Sequence, residues 1–401
     1  MLSQHLPCPA GIDVSGGDVS LAESPDAWNW FARQYGREPE GSWFAPGRVN
    51  LMGGPDYNEV FVLPFALSSG VHVAAARRPD RQIALASRQA GGDPILLSID
   101  TLEPGSADGW AAYAAGVAWA LREAGYLTDG ADVAIDADLP LGAGLSSSAA
   151  LECSVALALT ELYERSVPRS ELARLARRGE NEFAGVPTGV MDQLAVLLCR
   201  AGHALLLDCR SGTWTAIPLN PASAGLQLLV LDTRVRHALG DGRYAARRRT
   251  CQKAALMLGA WSLREIADTP EALTRLTEPF LQRAARHVVF ESRRVLAAAD
   301  LLEAGDLAGI GSLLTASHQS LRDQFEVSWP EADAAVEAAV DAGALGARMT
   351  GGGFGGCVVT LVHDDRATQV REAVTERFAQ RGWAAPGCLD AAPSSGARRI
   401  R

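Results

Sequence analysis

The sequence predicts an α+β fold in two domains. The chain has 401 residues, too many for one compact core. Strand-like and helical segments alternate without a strict βαβ rhythm, which favours α+β over a doubly wound parallel sheet. A proline- and serine-containing piece, IPLNPASAG at 217–225, reads as a linker. The expected organisation is a loose leader rich in Gly, Pro, Ser and Asp at 1–25, an N-terminal domain at 26–222 and a C-terminal domain at 223–401.

The elements follow in order. DAWNWFARQYG spaces Trp30, Phe31 and Tyr35 as a helix does. FVLPFAL, GVHVAAA and ADVAIDA are strand-like runs, and GWAAYAAGVAWALREAG reads as an amphipathic or buried helix ending at Gly125. A short β-rich run at Gln227–Thr233 follows the linker. Long Ala/Leu/Arg helices then extend from about 241 to 345, and CVVTLV forms another strand. No internal repeat or low-complexity tract interrupts this order.

Composition bounds the function. Hydrophobic content of 48% and charged content of 21% are those of a folded soluble protein. A net charge of −10 disfavours nonspecific binding to nucleic acid or anionic membranes, since either needs a basic face. A local positive site for a phosphate-bearing ligand stays compatible with it. The first residues, MLSQHLPCPAGIDVSGG, lack the basic and apolar regions of a secretory signal. No apolar run approaches the roughly 18 residues of a membrane helix. The 7 cysteines are scattered without a CxxC pair, which points to reduced thiols in a cytoplasmic protein.

Four stretches carry chemistry. In WFAPGRVNLMGGPDYNEVFVLPFAL, from Trp43 to Leu67, two glycines, a proline and Asp56 break a hydrophobic run shortly after Arg48. That suits a tight turn between buried strands or a loop that holds a polar ligand. In LPLGAGLSSSAALECSVALAL, 139–159, a Gly/Ser loop enters an apolar helix whose open N–H groups and dipole favour an anion. No Gly-Lys-Ser/Thr follows, so it is not a Walker A loop, and a dinucleotide fingerprint lacks its third glycine. A capped helix after a tight turn fits the same residues.

In GENEFAGVPTGVMDQLAVLL, 179–198, Asp192 sits among apolar residues. Its carboxylate is expected to be partly desolvated and to need a partner, or else to cap the following helix. In RMTGGGFGGCVVTLV, 348–362, five glycines precede a buried strand. Each glycine beyond those a turn needs costs about 0.5–1 kcal/mol of backbone entropy. The backbone there must approach something closely or cross another segment tightly.

Taken in order, GRVNL…DYN…FVLP, GAGLSSSAALE, ENEFAGVPTGVMDQ…GHALLLDCRS and ARMTGGGFGGC resemble the GHMP small-molecule kinases, and within them the galactokinase family. RVRHALGDGRYAARRRTC, RAARHVV, ASHQSLRDQFEVSWPEAD and SSGARRI add to the match, which runs from about residue 27 to 401. The resemblance implies two α+β domains with the active site between them. It implies a cytoplasmic, monomeric sugar-1-kinase that binds a small sugar and ATP, with no nucleic-acid or membrane partner. ATP would donate its γ-phosphoryl group to the anomeric hydroxyl of a galactose-like pyranose.

By the same resemblance, Gly142, Gly144, Leu145, Ser146, Ser147, Ser148 and Ala149 cradle the triphosphate, and Trp110 lies near the adenine. Ser148 and Glu180 take Mg²⁺ ligand positions. Asp192 matches the catalytic base and Arg48 the arginine beside it. Asp56, Tyr244 and the backbone at Gly189 match sugar-binding positions.

One departure stands out. The family motif here is Gly-Glu-His-Thr-Asp-Tyr-Asn, and this chain has Gly53-Gly54-Pro55-Asp56-Tyr57-Asn58, one residue shorter. The Glu and His that address the C6 hydroxyl have no counterpart in the loop. From the loop alone, a sugar lacking or altered at C6, such as L-arabinose, is an alternative substrate. A catalytically silent sugar sensor is the alternative from another class, and the joint presence of Arg48, Ser148, Glu180 and Asp192 argues against it.

Overall fold

The computed structural model describes residues 26–127, 129–140, 142–236, 242–267 and 269–401. The 1–25 leader lies outside the described residues. Helix α1 (Ala27–Tyr35) starts where the Asp26 carboxylate accepts from the Asn29 amide at 3.0 Å. Strands β1 (Gly41–Gly53), β2 (Phe61–Arg78), β3 (Gln82–Ser87), β4 (Ile95–Ser98), β5 (Gly130–Ala137), β6 (His203–Asp208) and β7 (Trp214–Pro218) belong to one sheet. Its path is β4-β3-β5-β2-β1, with β6 and β7 continuing from β2. All its pairings are antiparallel except β3 with β5.

The period of two is visible in β2. Ala74 and Ala76 join Phe31 of α1 in a small core on one face, while Val73 and Ala75 face the main core on the other. On that main face, α3 (Ser147–Leu162) and α5 (Met191–Leu198) pack on β1 and β2, and α2 (Gly109–Glu123) and α4 (Arg169–Arg178) pack against α3.

The second sheet has the order β11-β8-β10-β9 and is wholly antiparallel, with β8 (Leu226–Asp232), β9 (Gly346–Thr350), β10 (Cys357–His363) and β11 (Gly387–Asp390). Its central strands β8 and β10 are rich in apolar residues because both their faces are buried. Leu228 and Val230 face the N-terminal core, and Leu229 and Leu231 face the other way. Around that second core lie α6 (Arg243–Met257), α7 (Pro279–Glu303), α8 (Ile310–Asp323), α9 (Pro330–Asp341) and α10 (Ala367–Gln380). Among the described residues, no helix is long and apolar enough to cross a membrane.

Two features depart from the sequence reading. FVLPFAL and GVHVAAA form one 18-residue strand, in which the residues between Ala66 and Gly70 are taken up by a register shift against β1 rather than by a turn. A Cβ at Gly70 would lie 2.2 Å from the Ala45 carbonyl, so the glycine lets β1 and β2 pass closely. The residues assigned to the end of the second domain return to the first sheet. Strand β12 (Arg398–Arg399) pairs with Trp43 and Phe44 of β1, a pairing across the whole chain that no local pattern announces. The 217–225 linker is a short 3₁₀ turn, Pro221–Ala224, between β7 and β8.

Candidate active site

One cavity is lined by Arg48 of β1, Asp56 of the turn after it, Ser148 of α3 and Asp192 of α5, and across from them by Arg348 of β9 and Gly352 of the turn that follows it. Arg48 projects from β1 just after a register shift between Pro46 and Arg48. Its Nε donates to Asp192 Oδ1 at 2.8 Å and its Nη2 to Asp192 Oδ2 at 3.0 Å. This paired fork is the geometry in which a guanidinium holds a carboxylate best. Nη1 donates to the Gly144 carbonyl at 2.6 Å, tying the pair to the Gly/Ser loop.

Asp192 lies in the first turn of α5, but Val190 occupies the cap position and the carboxylate does not bond its own helix. The helix-cap alternative is therefore overturned, because the carboxylate turns to Arg48 instead. Ser146 Oγ also donates to Asp192 Oδ2, at 2.5 Å. A carboxylate has about four acceptor positions. Three are taken, which leaves one for a hydroxyl of a bound molecule.

The Gly/Ser loop delivers α3 with its N-terminus open. Ser146 stands at the cap position with φ 57°, and its hydroxyl serves Asp192 rather than the helix. The first-turn amides at Ser147, Ser148 and Ala149 face a cap that supplies no side-chain acceptor. Gly142, Gly144, Ser146, Ser147 and Ser148 line the cavity, whereas Leu145 and Ala149 are buried beneath it. Leu145 contributes its carbonyl, which accepts from the Arg48 amide at 3.0 Å.

Glu180 comes from a single π-turn, Gly179–Phe183, that continues α4. It is buried, and its carboxylate accepts from Ser148 Oγ at 3.1 Å, Thr188 Oγ1 at 2.5 Å and Gln193 Nε2 at 2.9 Å. Burial pushes its pKa up to about 7, with the Asp192 charge adding to the rise and the three donors opposing it. Gln193 Nε2 also donates to the buried Glu152 at 2.9 Å. Thr188 and Gln193 were not singled out from the sequence. A fully buried glutamine inside MDQLAVLL was the available signal, since a polar side chain in an apolar helix needs partners.

Asp56 starts a 3₁₀ turn after β1 and accepts from the Met191 amide at 3.1 Å. Burial raises its pKa, and the Asp192 charge raises it further. Gly189 is fitted against it. A Cβ there would stand 1.9–2.3 Å from the Asp56 carboxyl atoms, so only glycine permits this approach. Tyr244, near the start of α6, meets Tyr57 edge to face at 5.3 Å and lines the same cavity.

The Gly351–Gly356 turn packs on the Gly142–Ser148 loop. A Cβ at Gly356 would lie 2.9 Å from the Ala143 carbonyl, and one at Gly351 would lie 3.0 Å from that of Gly144. The glycine cluster thus serves a tight crossing of two loops from opposite domains. Trp110 stands apart. It begins α2, half-buried against the N-terminal core, and is absent from the cavity wall.

Two α+β units joined at a cavity, with an open helix N-terminus beside a fixed Arg–Asp pair, define a small-molecule kinase of the GHMP type. Residues 112–200 match the GHMP kinases N terminal domain, and residues 298–380 match the GHMP kinases C terminal domain. Residues 29–77, which include the shortened loop, match the galactokinase galactose-binding signature. The chain is 49% identical to the galactokinase of Streptomyces coelicolor, over 92% of this chain and 97% of that protein. It is 43% identical to that of Mycobacterium tuberculosis, over 87% of this chain and 99% of that protein. The solved structure of Lactococcus lactis galactokinase complexed with galactose superposes with a TM-score of 0.88 at 32% identity, covering 93% of this chain and 98% of that one. A Methanococcus jannaschii mevalonate kinase shares the fold at a TM-score of 0.64 and 15% identity.

The chain belongs to the galactokinase family. It is an ATP-dependent sugar kinase, a transferase, so the silent-sensor alternative gives way.

Proposed function

We propose that the chain transfers the γ-phosphoryl group of ATP to the anomeric hydroxyl of D-galactose, giving the sugar 1-phosphate. The observation that supports this most is Asp192. Arg48 and Ser146 hold it with one acceptor position left, between the open α3 N-terminus and Asp56. A hydroxyl placed on that position has its proton accepted by Asp192 as its oxygen attacks phosphorus. Arg48 stays beside the pair and offsets negative charge on the transferring group. Phosphoryl transfer asks chiefly for alignment and charge neutralisation. Alignment of two bound reactants supplies roughly 7–11 kcal/mol of the barrier.

The Gly142–Ser148 loop and the first amides of α3 hold the phosphates. Asp56, Tyr244 and the backbone at Gly189 hold the ring hydroxyls of the sugar. The role of Trp110 beside adenine rests on sequence resemblance alone. Three carboxylates, Asp56, Glu180 and Asp192, face a polyanionic donor here, which calls for a cation. Ser148 Oγ and Glu180 Oε1, 3.1 Å apart beside the α3 N-terminus, are the hard oxygen donors that Mg²⁺ prefers. When bound, Mg²⁺ supplies charge neutralisation to the phosphates.

The test is ATP consumption with galactose, glucose, L-arabinose and 6-deoxygalactose compared side by side. Turnover with galactose and discrimination against glucose are expected. Absence of galactose turnover in folded protein with ATP and Mg²⁺ would refute the assignment. Localisation in the cytoplasm and a monomeric state complete the proposal, and gel filtration with light scattering tests the latter.

A further inference from the structure

Gly54 leaves a recess in the cavity wall. A Cβ built there meets nothing nearer than Glu291 Cγ and His287 Nε2, each at 3.9 Å. Gly54, Arg348 and Phe325 line the cavity, so the recess opens into it. His287 belongs to α7, is fully buried, and stacks on Phe325 with ring centroids 4.7 Å apart. Its Nδ1 lies 2.9 Å from Ser320 Oγ, and Ser320 Oγ donates to Gln324 Oε1 at 3.1 Å. A serine hydroxyl has one proton. With that proton given to Gln324, Nδ1–H donates to Ser320 and Nε2 carries the lone pair. Burial pulls the imidazole pKa down to about 4, so the ring is neutral. Nε2 is buried and has no hydrogen-bond partner among the described residues. A buried acceptor left unpaired is costly, so it marks a place where a further group belongs.

The loop in front of it is held firmly. Glu291, one turn further along α7, accepts from the Gly53 amide at 3.3 Å. Arg348 of β9 donates to the carbonyls of Leu51 and Gly53 at 3.2 and 3.3 Å. The backbone of the shortened loop is thereby fixed to the C-terminal domain, with Nε2 directly behind the position that has no side chain.

We propose that His287 is a specificity-determining residue whose Nε2 accepts a hydrogen bond from the exocyclic hydroxymethyl group of the sugar, admitted through the recess at Gly54. This rests on the reading that a galactose-type hexopyranose is phosphorylated at its anomeric hydroxyl beside Asp192. A ring hydroxyl has its oxygen one bond from the ring and is confined to the cavity beside Asp56 and Asp192. Only the exocyclic group carries its oxygen two bonds out, far enough to reach behind the wall. The sequence of the loop alone implies indifference to this hydroxyl, since its Glu and His are gone. The structure supplies a polar atom from another element at the vacated place.

The experiment compares kcat/KM for galactose and 6-deoxygalactose in the wild type, His287→Phe and Gly54→Ala. Phenylalanine keeps the stack on Phe325 and removes Nε2. Alanine at Gly54 fits without a clash and fills the recess. A site that hydrogen-bonds a hydroxyl rejects the analogue lacking it, so the wild type is expected to prefer galactose by about 10² or more. Each variant is expected to lose about 10- to 100-fold on galactose and less than about threefold on 6-deoxygalactose, so that the preference collapses.

A wild-type preference below about fivefold, or equal losses on both sugars in both variants, would overturn the proposal. If His287→Phe melts at a much lower temperature, Gly54→Ala decides, since it leaves α7 intact. A wild type inactive on galactose overturns the functional reading itself. A galactose-active wild type with a flat ratio overturns only the role of His287.

Discussion

Replacing Asp192 by asparagine changes one atom in shape and two interactions in kind. Arg48 is 5% exposed and presents two N–H groups to the carboxylate. An asparagine offers one oxygen and one NH₂, so one Arg48 donor faces another donor. A buried donor left unsatisfied costs about 1–3 kcal/mol. The side chain of Asp192 is 25% exposed, so water reaches this site and the lower end of that range applies. Against the roughly 5–15 kcal/mol that holds a typical domain folded, the protein survives.

Catalysis does not survive in the same way. In the proposed role of Asp192 the hydroxyl proton loses its acceptor, and a positioned general base contributes about 10²–10⁴ in rate. Asp192→Asn is therefore expected to lower kcat by at least about 10², with the melting temperature reduced by only a few degrees and galactose binding kept within about tenfold. Steady-state kcat, a thermal melt and calorimetric binding of galactose, on one preparation, check all three. A folded variant with kcat within about fivefold of wild type would show that Asp192 takes no proton. A loss confined to binding would make it a sugar-positioning group instead.

Gly189→Ala should force the Asp56 carboxylate and the new methyl apart by roughly 1.5 Å, from 1.9 Å to ordinary contact. KM for galactose should rise about tenfold or more with the fold retained, since misplacement on this scale is expensive in a positioned site. An unchanged KM would remove Asp56 from sugar binding. Glu180→Ala should raise the Mg²⁺ concentration for half-maximal rate by about tenfold or more, because one of few protein oxygens is lost. An unaltered Mg²⁺ dependence, or full activity in excess chelator, would contradict both the Glu180 and Ser148 assignments. Arg348→Met should unfasten the Gly53 loop from β9 and raise KM for galactose more than it lowers kcat. Equal effects on both parameters would place its influence at the phosphoryl-transfer step.

Much of the site was written locally. A glycine run, an open helix start after three serines, and charged side chains among apolar neighbours are each costly without a purpose, so they stand out at Gly142–Ser148, Asp192 and Gly351–Gly356. Composition and element rhythm likewise determined the α+β class. What the sequence left open was which of these costly groups meet.

Arg48 finds Asp192 across 144 positions, and Glu291 finds Gly53 across 238. The register of β1 and the docking of α7 decide both, and neither is a local property. The same distance hid β12, which leaves the second domain to pair with β1. At Gly54 the local and global views part most clearly. The loop by itself shows only a missing Glu and His, whereas the packing of α7 behind it puts His287 Nε2 3.9 Å from where a Cβ at Gly54 would stand. Side-chain identity is carried by the chain one residue at a time, but an unpaired buried atom exists only once distant elements have closed around it.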